Sequence, residues 1–151
     1  MLRTLRDRLS NALGQSESEG TESREHALRL ATAILLIEIV RADYREDLTE
    51  NEAVFAQLKQ RFELTEDEAL LLVQQAEHEA DRAVTLQGFT RLLHEQLSAQ
   101  EKHAIIEMFW RVALADDHLD KHEDHLVRKL ADLLYVSHAD LIRIRNAVIG
   151  R

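Results

Sequence analysis

The sequence predicts an all-α protein, a helical bundle of seven to eight helices built from two similar halves. Three observations lead there. The chain has no proline and four glycines in 151 residues, too few turn-formers for a β-sandwich or for the Gly-rich loop of a doubly wound sheet. Its apolar residues recur at three- and four-residue spacing between helix-capping signals. The order of those elements then repeats along the chain.

Residues 1–14 place Leu2, Leu5, Leu9 and Leu13 on one helical stripe with Arg3, Arg6 and Arg8 between them. This is a short basic amphipathic helix, readable as a membrane or partner anchor or as a helix docked on its own domain. Residues 15–23 are polar, with Ser and Glu predominant, and are expected to be a flexible linker. Residues 24–151 form the folded domain. Its first helix, Arg24 to Ala42, is apolar almost all round over its second half, from Leu30 through Val40, and should sit centrally.

An acidic turn follows, and Thr49-Glu50-Asn51-Glu52 has the form of a capping box. The helix it opens carries Val54, Phe55, Leu58 and Phe62. Thr65-Glu66-Asp67-Glu68 opens a third helix with Ala69, Leu70, Leu72, Val73 and Ala76 inward, ending near Ala80. A shorter helix, Leu86 to Gln96, turns Phe89, Leu92 and Leu93 inward. Ser98-Ala99-Gln100-Glu101 caps a helix through Ile105, Ile106, Phe109, Trp110, Val112 and Ala113. After a second acidic turn, Asp120-Lys121-His122-Glu123 caps a helix with Leu126, Val127, Leu130, Leu133 and Leu134. Ser137 caps the last, with Leu141, Ile144 and Val148 inward.

The halves align by arithmetic. Val54, Phe55, Leu58, Phe62, Leu64 and Thr65 match Leu126, Val127, Leu130, Leu134, Val136 and Ser137 at an offset of 72, whereas Ala42-Asp43 matches Ala115-Asp116 at 73. The insertion is therefore expected in or beside the acidic turns.

Composition also restricts function. With no cysteine there is no disulfide framework, thiolate zinc site or cysteine nucleophile. A net charge of −9 removes the basic footprint of a nucleic-acid binder. The longest apolar run, Ala31 to Val40, is about half a membrane span, and no signal-peptide pattern opens the chain. A soluble, cytoplasmic protein is the expectation. No P-loop, dinucleotide fingerprint, nucleophile elbow or diiron Glu-x-x-His pattern occurs, so an enzyme is not expected.

The two acidic turns are the candidate chemistry: Asp43 to Glu52, and Asp116 to His125. Carboxylates clustered between a helix end and a helix start can hold a hard divalent cation, which takes several oxygen ligands. Neither turn is an EF-hand, since position twelve is Val54 or Val127 and position six is not glycine. His118, His122 and His125 in the second turn could add a borderline metal such as zinc. The competing reading is plain: Asp and Glu cap helix amides and favour the helix dipole there, and the histidines decorate a solvated helix start. Residues 43–81 carry twelve acids against three bases, a surface that attracts cations or a basic partner.

The repeated plan resembles the TerB-like family. The residues that carry the resemblance are Val40-Arg41-Ala42-Asp43 with Leu48-Thr49-Glu50-Asn51-Glu52, and Ala113-Leu114-Ala115-Asp116 with Leu119-Asp120-Lys121-His122-Glu123. That family often has Ala-Asp-Gly at these turns; Tyr44 and Asp117 stand here in place of the glycine. The resemblance implies an all-α fold in two halves, acidic metal sites, and a cytoplasmic role in stress or tellurite-resistance systems. Carried over by motif, the candidate ligands are Asp43 and Glu52 in one half and Asp116 and Glu123 in the other, with Asp47 and Asp120 as further carboxylates of the same turns. The implied cofactor is a divalent metal ion: calcium, magnesium, manganese or zinc. The implied partners are proteins, membrane-associated ones included; a homodimer is a separate expectation, and the net charge argues against nucleic acid. The alternative function is a metal-free protein–protein interaction scaffold whose acidic turns are only helix caps. No J-domain follows the match, so co-chaperone activity is not expected.

Overall fold

The computed structural model describes residues 17–42 and 48–150. The basic segment expected as a helix over residues 1–14, and Asp43 to Asp47 of the first acidic turn, lie outside the described residues.

Seven helices and no strand make up the described residues: α1 Glu17–Arg41, α2 Leu48–Phe62, α3 Glu66–Arg82, α4 Gln87–Gln96, α5 Ala99–Ala113, α6 Lys121–Leu133 and α7 His138–Ile149. Helix α1 is the axis of the bundle. Ala31, Ala33, Ile34, Leu35, Leu36 and Ile39 are fully buried, and α1 packs against α2, α3, α4, α5 and α6. Its one polar intrusion, Thr32, returns its hydroxyl to the Leu28 carbonyl at 2.8 Å, which is how a buried hydroxyl in a helix is satisfied locally.

Helix α1 begins at Glu17, so residues 17–23, expected as linker, are its first turns. Once the packed part of a helix has nucleated, each further residue adds a bond without a new nucleus. Composition argued for disorder there because it ignored that neighbour.

The pairing of helices is the same in each half. Helices α1, α2 and α3 pack pairwise on one another, as do α5, α6 and α7, and the halves meet reciprocally, α2 against α5 and α6 against α1. Helix α4 joins them. Phe109 and Trp110 on α5 are fully buried, and the Trp110 indole N–H donates to the Leu141 carbonyl at 3.1 Å, tying α5 to α7.

The caps form where the sequence signals them, with one exception. Glu68 N–H donates to Thr65 Oγ1 at 3.1 Å, and Thr65 N–H donates to Glu68 Oε1 at 2.9 Å. Ser98 and Glu101 do the same at 3.1 and 2.9 Å, and Ser137 Oγ accepts from Asp140 N–H at 3.1 Å. The exception is Thr49. Helix α2 starts at Leu48, which places Thr49 inside the first turn, where its backbone is helical and cannot serve as an N-cap.

The insertion between the halves also falls elsewhere than expected. Helices α2 and α6 start 73 residues apart, at Leu48 and Lys121, and the buried residues Glu50 and Val54 match buried Glu123 and Val127 at that same offset. At the far ends the offset is 72. Glu63 (φ 54°) and Tyr135 (φ 59°) occupy the left-handed region. The amides after them reach five residues back, Leu64 to the Lys59 carbonyl at 3.0 Å and Val136 to the Ala131 carbonyl at 2.9 Å, the bond that closes a helix through a left-handed cap. The extra residue thus lies within α2, between Val54 and Lys59, and not at the turn. Side-chain matching alone aligned Val54 with Leu126, which is only half-buried. The other core expectation to be revised is Leu70, which is 45% exposed.

Candidate functional site

The second acidic turn lies wholly among the described residues. Helix α5 ends at Ala113, and the chain turns through Leu114–Asp117, with Ala115 N–H on the Val112 carbonyl at 3.2 Å and Asp117 N–H on the Leu114 carbonyl at 3.0 Å. Asp117 takes φ 63°. This is the position where the family pattern has glycine, and aspartate is one of the few other residues that tolerates it. The turn geometry therefore survives the loss of the glycine.

Two carboxylates then organise the loop. Asp116 Oδ1 accepts the His118 N–H at 3.0 Å, a side-chain-closed turn. Asp120, with extended backbone at φ −71° and ψ 140°, is the N-cap of α6; its Oδ1 accepts the His122 N–H at 2.8 Å and, more weakly, the Glu123 N–H at 3.4 Å. Glu123 follows on the inner face of α6 and is 1% exposed, with Oε2 shut off from solvent. Asp116 is exposed and Asp120 half-buried, so the carboxylates descend from the surface inward. His118, His122 and His125 are all exposed. Among the described residues no group of three or more His, Asp or Glu side chains converges as metal ligands.

In the first half, Asp43 and Asp47 lie outside the described residues. Glu52 is exposed on α2, while Glu50 is 1% exposed, with Oε2 likewise closed to solvent. Glu50 is thus the counterpart of Glu123, and sequence reasoning passed it over. The signal was present: Asp116 precedes Glu123 by seven residues, and seven residues after Asp43 is Glu50, not Glu52. Glu50 and Glu123 both have hydrogen-bonding or electrostatic contacts within the protein.

The entry to the first turn is held by charge. Arg41, the last residue of α1, pairs with Asp81 near the end of α3 at 2.8 Å. One turn earlier, burial pushes the Glu38 carboxyl above its ordinary value; Arg41 opposes that shift and Asp81 adds to it. Buried Glu79 lies on the same helix as Asp81. It falls on the stripe of Ala69, Leu72, Val73, Ala76 and Ala80, where an acid is a marked departure from the pattern, and this signal was also passed over.

The donor chemistry of both turns is all-oxygen and anionic, which suits a hard divalent cation. The geometry gathers fewer than three such groups at any one point among the described residues, and two of the second turn's carboxylate oxygens already accept backbone N–H groups. No helix among the described residues is long and apolar enough to cross a membrane.

The chain matches the family model of tellurite resistance protein TerB over residues 29–146. No curated protein and no solved structure matches the chain.

Proposed function

The chain belongs to the TerB family, and on that footing we propose that this tellurite-resistance-associated module takes up divalent cations at its two acidic turns, with Glu50 and Glu123 as the innermost carboxylate of each. The observation that supports this most is the matched burial of those two glutamates, each 1% exposed, at equivalent places in the two halves. Burying a carboxylate costs several kcal/mol before its partners offset it, and this fold buries one in each half, next in sequence to segments dense in acid. A cation would neutralise the summed charge of each turn. In the second half Asp116, Asp120 and Glu123, which do not converge in the described geometry, would have to draw together to hold it. In the first half Asp43, Asp47 and Glu50 would do so, with Glu52 on the solvent side.

Cation uptake would change the charge of two surface turns without chemistry on a substrate, which fits a module that works through binding. The setting we propose is the cytoplasm, in stress and tellurite-resistance systems, with protein partners that include membrane-associated ones. A second reading, a metal-free interaction scaffold, is favoured by the backbone N–H groups that Asp116 and Asp120 already accept. Calorimetric titration of metal-stripped protein with calcium, magnesium, manganese and zinc separates the two. Saturable heat for at least one cation, absent with sodium at equal ionic strength, supports the cation reading. Heats of dilution throughout would leave the scaffold.

A further inference from the structure

The surface of α3 is more apolar than its exposure warrants. Leu71 is 67% and Leu70 45% exposed, and each borders a groove on its own flank of the helix. One groove, of about 620 Å³, lies between α3 and the N-terminal half of α1 and is lined by Leu64, Leu71 and Leu72 with His26, Arg29 and Glu68 among its polar members. The other, of about 590 Å³, is bordered by Ile37, Val40, Phe55 and Leu70. An apolar segment laid in either groove would bury its leucine together with the apolar lining.

The same chain supplies an apolar stripe in need of a surface. Leu2, Leu5, Leu9 and Leu13 lie between 4 and 15 residues ahead of Glu17, where α1 begins. The arginines among them, Arg3, Arg6 and Arg8, are matched by Glu66, Asp67 and Glu68 in the first turn of α3, at the end of the helix beside the first groove. Reach then selects the groove. A helix from Leu2 to Leu13 spans about 18 Å. Reversing at Gly14 and running back along α1, it would end near the level of His26 and Arg29, which lie about 14 to 18 Å from Glu17. Ile37 lies about 30 Å along α1, beyond the leucines' reach.

We propose that residues 2–13 dock as an amphipathic helix in the groove between α1 and α3, covering Leu64, Leu71 and Leu72, with their arginines toward Glu68, Asp67 and Glu25. The leucine stripe is then spent on the protein's own surface. This inference is independent of the cation reading.

The absence of cysteine makes the test clean, because a nitroxide on Thr4→Cys is unique. Thr4 lies opposite the leucine stripe at 100° per residue, so the label need not disturb docking. In the isotopically labelled full chain, the amide signals of Leu64, Leu71, Leu72 and Gln75 should be lost with the oxidised label and return on its reduction. Adding Leu5→Glu and Leu9→Glu to the labelled chain should restore them without reduction. Untouched groove signals would overturn the proposal, as would losses centred on Ile37 and Phe55, or losses that persist in the double-glutamate chain. Losses that vanish when labelled chains are diluted into unlabelled ones would make the occupant a second copy. An intact groove spectrum, with label broadening appearing only on anionic vesicles, would make the segment a membrane anchor; either outcome refutes internal docking.

Discussion

Asp120 separates the two things an acidic turn can be, because its two replacements differ in only one respect. As an N-cap it accepts one strong hydrogen bond, from His122 N–H at 2.8 Å, and one weak one, from Glu123 N–H at 3.4 Å. Asp120→Ala removes both and should cost about 1 kcal/mol, the usual value for losing a cap. Asp120→Asn keeps an oxygen in place and caps as well as aspartate does, so it forfeits only the charge–dipole contribution of about 0.3–0.5 kcal/mol. For a chain of this length 1 kcal/mol moves the melting temperature by about 2–4 °C. In chelator-treated protein the alanine variant should therefore melt about 2–4 °C below the parent and the asparagine variant only about 0.6–2 °C below it. With a binding cation at a hundredfold excess over Kd, each occupied turn adds about 2.7 kcal/mol. Both variants should lose the second turn's share and keep the first's, because each lacks an anionic ligand of the second turn alone. Scanning calorimetry with and without cation reads all of these values. If Asp120→Asn falls as far as Asp120→Ala without metal, the cap assignment is wrong. If it keeps the full cation-induced rise, Asp120 is not a ligand.

Asp117→Val should lower stability by more than about 1 kcal/mol, because a β-branched residue resists φ 63°; a chemical denaturation midpoint equal to the parent's would refute this. Trp110→Phe should cost about 2 kcal/mol, from the lost indole bond to Leu141 and the smaller ring in a fully buried site, seen as a shifted urea midpoint at unchanged slope. The Thr65 backbone and side-chain bonds hold Glu68 below its ordinary value, and those of Ser98 hold Glu101 there; Arg143, with Ser137, does so for Asp140. A depressed carboxyl pKa contributes stability that is present above the unfolded value of about 4.3 and lost as pH falls through the lower folded one. The melting temperature should therefore fall on acidification below about pH 4.5, and less steeply in a Glu68→Gln, Glu101→Gln double variant. Glu38 has the opposite sign: its raised pKa means its contribution declines as pH rises through the folded value. Glu38→Gln should accordingly melt no lower than the parent at neutral pH, and a large drop would contradict the desolvation argument.

Helix order, the central place of α1 and the caps at Thr65, Ser98, Asp120 and Ser137 were legible in the sequence because each rests on local chemistry: periodicity in one case, an oxygen three residues before an amide in the others. The start of α2 was not, because Thr49 has the chemistry of a cap and only the tertiary placement of Glu50 and Val54 puts it inside the helix. The register of the repeat misled for a related reason. The added residue is absorbed within α2, where an apolar pattern tolerates it, so side-chain type matched at 72 where burial matches at 73. Leu70 and Leu71 show the limit of periodicity: a leucine pair on one helix signals an apolar face without saying which part of it is covered. At the candidate site, the density of acid was visible at once, but burial was not. Glu50 and Glu52 are the same residue two positions apart, and only the packing of α2 turns one inward and the other to solvent.

The central claim, that Glu50 and Glu123 anchor a cation in each half, is tested most directly by counting free manganese. The magnetic resonance signal of Mn²⁺ in solution disappears when the ion is bound. In a titration of metal-stripped protein, the parent should remove one ion per acidic turn from that signal, Glu123→Gln and Glu50→Gln each half as many, and the double variant none, with all four chains equally folded by circular dichroism. A free-manganese signal that rises from the first addition in the parent, or that is depleted equally in the double variant, would contradict the claim.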